Sequence, residues 1–309
     1  MVVVRRVAAF FLGGTIAMRR TAAGTLAADG ESTFTAPPGV EMRDERLFET
    51  SSSHLTRVDV LRVRNRMLAV LAAGHDGAVV VLGTDALAEV AYLLQLTAAF
   101  ARPVVETGAM RLPEHPGFDG PANVTAALVA AASDDATGLG VLVAMNGAVY
   151  SAADVVKVHG YRPDAFQSPW GPIGEIREGE FCLHRRPLLP DALPVDAVPA
   201  RVAIAYVSFD DPFVLRPYLQ DLPDGPVIAG LGAGHLAPGA LPDLREILSR
   251  GIPVWMVPRR GTHPLLRTYT SSASEIALQE LGVRMEDGPP EQARLRLLVD
   301  LAAGRGHGA

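Results

Sequence analysis

The chain has 309 residues, of which 49% are hydrophobic and 20% are charged, and its formal net charge is -6. This length is sufficient for two domains, and the composition is ordinary for a globular protein. Because the arginines are scattered and form no basic run, the sequence predicts no nucleic-acid partner.

Short apolar runs alternate with helical patterns in the first part of the chain. Buried strands are predicted at residues 2–12, 77–82, 102–107 and 139–145, and helices at residues 86–101 and 121–133. Such an alternation of strand and helix is typical of a mostly parallel sheet with both faces covered. The sequence therefore predicts an α/β fold for this part.

A proline-rich segment without clear periodicity follows, and it predicts a linker at residues 189–200. A second set of strands and helices comes after it. Strands are predicted at residues 201–207, 226–231 and 253–257, and helices at residues 240–250, 271–281 and 290–303. We therefore expect an N-terminal domain at residues 1–188 and a smaller C-terminal domain at residues 201–309.

The segment 17–38, directly after the first predicted strand, is polar and has no apolar period. A long loop at this position of a sheet is often a lid over a binding site. A lid is the prediction here, and a disordered surface loop is the alternative.

The start of the chain faintly resembles a signal peptide, because two arginines precede a short apolar run. No small-residue cleavage site follows, so a buried first strand is the better interpretation. No stretch approaches the ~20 apolar residues of a membrane span. The single cysteine, Cys182, cannot form an internal disulfide. The sequence therefore predicts a soluble cytoplasmic protein without a membrane partner.

Lys157 is the only lysine, and every other basic side chain is arginine. Arginine stays charged at all working pH values, whereas a desolvated lysine can lose its proton. A site that needs a proton acceptor can therefore use lysine and cannot use arginine. Chance retention of one lysine explains the observation equally well.

Three predicted strand ends carry glycines beside polar residues: residues 12–17 (LGGTIA), 82–85 (LGTD) and 107–111 (TGAMR). In an open α/β sheet, ligands bind beyond the carboxyl ends of the strands. Glycines there let the backbone approach a ligand closely. Each motif alone is more often a turn with a helix cap, and none is a dinucleotide-binding fingerprint.

Together these motifs resemble the bacterial-type L-asparaginase family. The resemblance is dense from residue 7 to residue 176 and thinner beyond, and it rests on residues 12–17, 82–89, 102–111, 119–123, 141–146, 154–157 and 164–174. It implies two α/β domains. The larger N-terminal domain would hold the active site on a mostly parallel sheet, and the smaller C-terminal domain would be a flavodoxin-like parallel sheet.

The resemblance also implies catalytic residues. The threonine of the GGT motif matches Thr15, the expected nucleophile, and the GTD motif supplies Thr84 and Asp85. The family's catalytic lysine matches Lys157. A threonine hydroxyl needs a base nearby, which a relay of Thr84 and Lys157 would supply while Asp85 places the lysine. Which threonine attacks is left open.

Substrate contacts are implied at five further positions. Backbone N–H groups near Gly14 and near Thr84 would stabilise the oxyanion, and Gly83 is a further substrate contact. The Ala109 carbonyl would accept a hydrogen bond from the leaving nitrogen. Ser52 and Ser53 match the pair that holds the substrate's α-groups. The resemblance implies no metal or organic cofactor, and the histidines show no ligand spacing that would favour a metal site.

Two departures from the family bear on the substrate. The predicted lid contains no tyrosine, whereas many relatives use one to activate the nucleophile, and Ser53 replaces a glutamine. The first hypothesis is hydrolysis of the side-chain amide of L-asparagine. The second keeps this chemistry on another small amide, such as glutamine, D-asparagine, succinamate or a modified asparagine.

A third hypothesis is a non-catalytic amino-acid-binding or scaffold protein on the same fold, because a fold does not fix a function. The family also implies self-association to a dimer or tetramer, with sites completed at subunit contacts. Glu275 and Tyr269 are candidates for the neighbouring subunit's contribution, and the sequence favours neither.

Overall fold

A computed structural model describes residues 4–14, 16, 19–20, 26–27, 34–261 and 268–305. The chain divides into two compact units, Met1–Ala192 and Leu193–Ala309. This division falls inside the segment 189–200 that we predicted as a linker. The bounds of the two domains remain a prediction.

The first unit contains twelve described strands and three α-helices. The strands are β1 (Arg5–Phe11), β2 (Arg19–Arg20), β3 (Leu26–Ala27), β4 (Val40–Arg46), β5 (Gly77–Val81), β6 (Val104–Thr107), β7 (Val141–Met145), β8 (Ala148–Ser151), β9 (Val156–Lys157), β10 (Phe166–Gln167), β11 (Gly174–Arg177) and β12 (Glu180–Leu183). The helices are α1 (Arg57–Ala72), α2 (Leu87–Thr97) and α3 (Gly120–Ala132).

Eight of these strands form one sheet in the order β12-β11-β8-β7-β6-β5-β1-β4. Its centre is parallel from β4 to β7, and β8, β11 and β12 continue it antiparallel. Every residue of β5 and β7 is buried, as expected for apolar strands covered on both faces. The predicted mostly parallel sheet is confirmed.

Helix α3 packs its alanine-rich surface against β5, β6 and β7, where small side chains allow close contact with the strands. Helices α1 and α2 pack against each other; α1 contacts β1 and β5, and α2 contacts β6 and β7. Helix α1 begins with a capping box, in which Thr56 and Asp59 exchange side-chain and backbone hydrogen bonds. This helix was not predicted from the sequence.

The second unit has a four-stranded parallel sheet in the order β13-β14-β15-β16. Its strands are β13 (Val202–Tyr206), β14 (Gly225–Gly230), β15 (Trp255–Pro258) and β16 (Arg284–Met285). Its helices are α4 (Arg216–Gln220), α5 (Leu241–Ser249), α6 (Glu275–Glu280) and α7 (Pro290–Ala302). Helix α7 packs on β13, β14 and β15. The predicted smaller parallel domain is confirmed, and the helix predicted at 271–281 begins only at Glu275.

The predicted lid at residues 17–38 lies largely outside the described residues. Its described parts include β2 and β3, which pair antiparallel with Arg19 opposite Ala27. Beyond it, β4 lies parallel to β1 at the edge of the sheet. Its sequence, VEMRDER, is charged, which suits an edge strand because one side meets water.

Candidate active site

The carboxyl ends of three neighbouring strands meet at one edge of the large sheet. Strands β6, β5 and β1 are adjacent, and the ladder continues past their ends. The Leu12 N–H donates to the Val81 carbonyl at 2.9 Å, and the Leu82 N–H donates to the Thr107 carbonyl at 3.0 Å. The three glycine-containing turns identified in the sequence therefore leave the sheet side by side.

A lysine from a distant part of the chain reaches the turn after β5. The Lys157 ammonium nitrogen lies 2.9 Å from Thr84 Oγ1 and 2.9 Å from Asp85 Oδ1. Thr84 is buried, and the Lys157 side chain is 15% exposed, whereas Asp85 is 70% exposed. The lysine thus contacts a shielded hydroxyl on one side and a solvated carboxylate on the other.

Glycines allow the backbones of the turns after β1 and β5 to approach each other closely. Gly14 has φ +93°, and a Cβ on it would lie 2.3 Å from the Gly83 nitrogen. A Cβ on Gly83 would lie 2.8 Å from Ser52 Oγ. The turns after β1 and β5 and the segment carrying Ser52 therefore pack together at one point, where a side chain on either glycine would force them apart.

The two predicted substrate serines lie in different surroundings. Ser52 is buried, and its hydroxyl accepts a hydrogen bond from the Ala86 N–H at 3.3 Å, beside the turn that carries Thr84. Ser53 is exposed, and its hydroxyl pairs with Ser51 Oγ at 2.9 Å. Thr15, the predicted nucleophile, lies outside the described residues.

The turn after β6 is held by a carboxylate from the start of α3. Asp119 accepts hydrogen bonds from the backbone N–H groups of Met110 and Arg111 at 3.0 and 2.9 Å. The amide nitrogen of Asn123 donates to the same carboxylate at 3.0 Å and to the Gly108 carbonyl at 2.9 Å. Ala109, at the centre of this turn, is buried.

Asn123 extends the network to the next strand. Its side-chain oxygen accepts a hydrogen bond from the Asn146 N–H at 2.9 Å, directly after β7. In the sequence, Asp119 and Asn123 were recognised only as parts of the motif at residues 119–123. Their i, i+4 spacing at a helix start, which puts both side chains on one face, was the signal for a joint role.

Strand β6, which leads into the turn at Gly108, carries one buried acidic residue. Glu106 in β6 is fully buried, and neither carboxylate oxygen has a hydrogen-bond partner within the described chain. Burial raises the pKa of the Glu106 carboxyl well above its ordinary value, because the charged form is poorly solvated there. Glu106 stands two residues before Gly108, and the sequence analysis did not single it out.

A polar cluster in the second unit contains both residues considered for a subunit contact. Glu275 is buried and pairs with His235 Nε2 at 3.0 Å, and it accepts the N–H groups of Thr268 and Tyr269 at 2.7 and 2.9 Å. Burial alone would raise the pKa of the Glu275 carboxyl. The hydrogen bonds together have a larger effect than burial, so this pKa is lowered. Both oxygens of Glu275 are therefore engaged within its own unit.

Two kinds of site, for a metal ion and for a membrane-spanning helix, are absent from the described ranges. There, no group of three or more His, Cys, Asp or Glu side chains is arranged to hold a metal ion. No helix in the described part of the chain is both long and apolar enough to cross a membrane.

Comparison with known proteins supplies a family. A family model described as "Asparaginase, N-terminal" matches residues 6–189. The chain is 31% identical to the "L-asparaginase" of Bacillus licheniformis, over 97% of this chain and 96% of that protein. It is also 31% identical to the "Glutaminase-asparaginase" of Pseudomonas fluorescens biotype A, over 78% of this chain and 72% of that protein.

A solved structure agrees with this match. The "Probable Cytoplasmic L-asparaginase" from Campylobacter jejuni superposes with a TM-score of 0.79 and 28% sequence identity. The match covers 96% of this chain and 94% of that chain. Both units are therefore included in the likeness, and not only the first.

Proposed function

Because the chain belongs to the asparaginase family and is an amidohydrolase, we propose that it hydrolyses the side-chain amide of L-asparagine to L-aspartate and ammonia. The observation that carries this proposal is the contact of the only lysine, Lys157, with Thr84 and Asp85. An amide is cleaved by a nucleophile that a base activates, and this contact supplies a base beside a shielded hydroxyl.

In the proposed mechanism, the hydroxyl oxygen of Thr15 attacks the amide carbon. Its proton passes through Thr84 to Lys157. When Lys157 donates to Thr84 Oγ1, the hydroxyl hydrogen of Thr84 is free to point away from the lysine. When Lys157 has lost a proton, it accepts that hydrogen instead, so one contact serves both directions of transfer. The alternative in which Thr84 attacks directly uses the same base.

Asp85 sets the position and the charge balance of the lysine. Its carboxylate is exposed, so solvent screens the ion pair and the attraction is modest. A strong buried pair would hold the proton on the lysine. The contact with Asp85 therefore serves to keep Lys157 in place beside Thr84.

The remaining steps use backbone groups. N–H groups near Gly14 and Gly83 would stabilise the negative charge on the tetrahedral intermediate, because they are fixed before the reaction begins. The Ala109 carbonyl would accept a hydrogen bond from the leaving nitrogen. The returning proton converts that nitrogen to ammonia, and water then cleaves the acyl-enzyme to release L-aspartate.

A second candidate substrate is L-glutamine or another small amide. Ser53 is exposed and paired with Ser51, so it reaches the substrate less well than a glutamine would. The similarity to a protein named "Glutaminase-asparaginase" also favours this candidate. Ser52, which is buried beside the Thr84 turn, would hold the substrate's α-groups in either case.

The test is ammonia release from L-asparagine, L-glutamine, D-asparagine and succinamate by the wild type and by Lys157→Met. We expect release from L-asparagine and a loss of about 10³-fold or more in kcat for the variant. Lys157→Arg keeps a positive charge and cannot accept a proton, so it should be equally inactive. Release that survives in Lys157→Met would overturn the mechanism, and no release from any amide would favour a binding or scaffold protein.

We also propose that the protein is cytoplasmic and self-associates to a dimer or tetramer. Symmetric assembly is the common state of such enzymes. Light scattering of the purified protein tests the assembly, since a monomer mass at assay concentration would contradict it. Fractionation of the source cells tests the compartment.

A further inference from the structure

Lys157 lies on a small hairpin outside the large sheet. Strands β9 and β10 have two residues each, with Phe166 opposite Lys157. One further backbone bond, from the Val158 N–H to the Ala165 carbonyl at 2.8 Å, extends the pairing. An isolated two-stranded ribbon is marginally stable at best, so other contacts must hold Lys157 at its position beside Thr84.

Arg185 joins the two flanks of this hairpin. Its Nη2 group donates to the Gly171 carbonyl at 2.7 Å, in the turn after β10. The same nitrogen lies 3.4 Å from Asp154 Oδ2, three residues before Lys157. The hydroxyl of Ser168, in the turn that follows β10, also acts to lower the pKa of the Asp154 carboxyl. One guanidinium and one carboxylate therefore bind the segments before and after the hairpin to each other.

Arg185 is itself held to the large sheet. It follows β12, which pairs with β11 in that sheet. The backbone N–H groups of His184 and Arg185 both donate to the Ile173 carbonyl, at 2.8 and 3.2 Å. Because the backbone at Arg185 is fixed to the large sheet, the contacts of its side chain hold the hairpin in place relative to that sheet.

The surroundings of this ion pair make it difficult for water to replace. The Asp154 side chain is 17% exposed, and Asp154 Oδ1 and Arg185 Nε are shielded from solvent. Burial raises the pKa of Asp154, and the contacts with Ser168 and Arg185 act in the opposite direction. The Arg185 side chain is 31% exposed, so removing one partner leaves a partly shielded polar group without its ion-pair contact.

We propose that Arg185 and Asp154 are positioning residues, which hold the hairpin of β9 and β10 so that Lys157 stays within hydrogen-bond distance of Thr84. The kinetic part of this inference rests on the proposed function of Lys157. Neither residue is among the proposed substrate contacts, so we expect their effect to be on the rate of proton transfer and not on substrate affinity. A displacement of ~1 Å at a catalytic group can cost about 100-fold in rate.

The test compares Arg185→Gln and Asp154→Asn with the control Arg186→Gln, which removes an exposed arginine from the neighbouring position. Because Lys157 is the only lysine, protein labelled with 13Cε-lysine gives one side-chain NMR signal, which reports its surroundings directly. We expect both test variants to move this signal and to lower kcat for L-asparagine about 10- to 100-fold, with KM changed less than about threefold. The control should match the wild type in both measurements.

A double variant tests whether the two residues act as a unit. If they do, Arg185→Gln combined with Asp154→Asn should lose no more activity than the more damaged single variant. An unchanged lysine signal and a kcat within twofold of the wild type would overturn the inference, even if the melting temperature fell. If Arg185→Gln does not fold, Asp154→Asn decides in the same way. If the wild type releases no ammonia, the proposed function fails, and the NMR signal alone still decides the positioning role.

Discussion

Replacing Glu106 with glutamine should flatten the dependence of the unfolding free energy on pH. Glu106 is fully buried in β6 without a partner in the described chain, and burial raises the pKa of its carboxyl. An unfolded glutamate has a pKa of about 4.3. Above this pH the unfolded chain releases the proton and the folded protein keeps it, so stability falls as pH rises.

The size of the effect follows from proton linkage. While the folded state alone keeps the proton, the unfolding free energy falls by about 1.4 kcal/mol for each pH unit. Between pH 4.3 and pH 7 this amounts to about 3.7 kcal/mol, provided that Glu106 stays protonated in the folded protein. The contribution is fully present below the unfolded pKa and is lost progressively toward the folded pKa. Glutamine has a similar shape and no such titration.

The assay is hydrogen exchange of the β5 and β6 amides for the wild type and Glu106→Gln at pH 5, 6 and 7, corrected for intrinsic exchange. These amides report opening of the first unit, so unfolding of the second unit does not confuse the result. As pH rises, we expect the opening free energy of the wild type to fall by about 1.4 kcal/mol per pH unit relative to that of Glu106→Gln. Glu180→Gln, at an exposed position of β12, is the matched control. Equal slopes for wild type and Glu106→Gln would refute a protonated Glu106.

Three further substitutions have defined outcomes. Gly14→Ala should lower kcat/KM at least tenfold, because its Cβ would lie 2.3 Å from the Gly83 nitrogen. The control is Gly138→Ala, which should leave kcat/KM unchanged, because Gly138 also has a positive φ (+76°) but its Cβ would meet no atom within 4 Å. Asp119→Asn should lower the unfolding free energy by about 1–3 kcal/mol and reduce kcat, since the carboxylate accepts three hydrogen bonds; a variant with full stability and kcat would contradict this. Thr56→Ala should cost about 1 kcal/mol in urea unfolding through the cap of α1 and leave KM unaltered.

The parallel centre of the fold was predictable because its strands are covered on both faces. Strands β5 and β7 are continuous apolar runs, and such runs have few other stable arrangements. Strand β4 was not predicted, because an edge strand tolerates charge and its sequence resembles a surface loop. Helix α1 carries several arginines, which obscure its apolar face, although Thr56 and Asp59 mark its start.

The candidate site was predictable only in part, because some of its contacts depend on tertiary packing. Thr84 and Asp85 stand at a strand end that the local pattern identifies, and Lys157 is conspicuous as the only lysine. The link between Arg185 and Asp154 depends on segments that only tertiary packing brings together. Arginine and aspartate are also common on surfaces, so neither residue is distinctive in the sequence.

The absence of any other lysine in the chain has a consequence for chemical work on this protein. Reagents that acylate side-chain amines have a single ε-amine to attack, and it lies 15% exposed in contact with Thr84. Under the proposed mechanism, coupling to an amine-reactive support or polymer would therefore either fail at the side chains or inactivate each molecule that it modified. Under the same mechanism, the fraction of ε-amine that a bound inhibitor protects from acylation would measure the fraction of occupied enzyme.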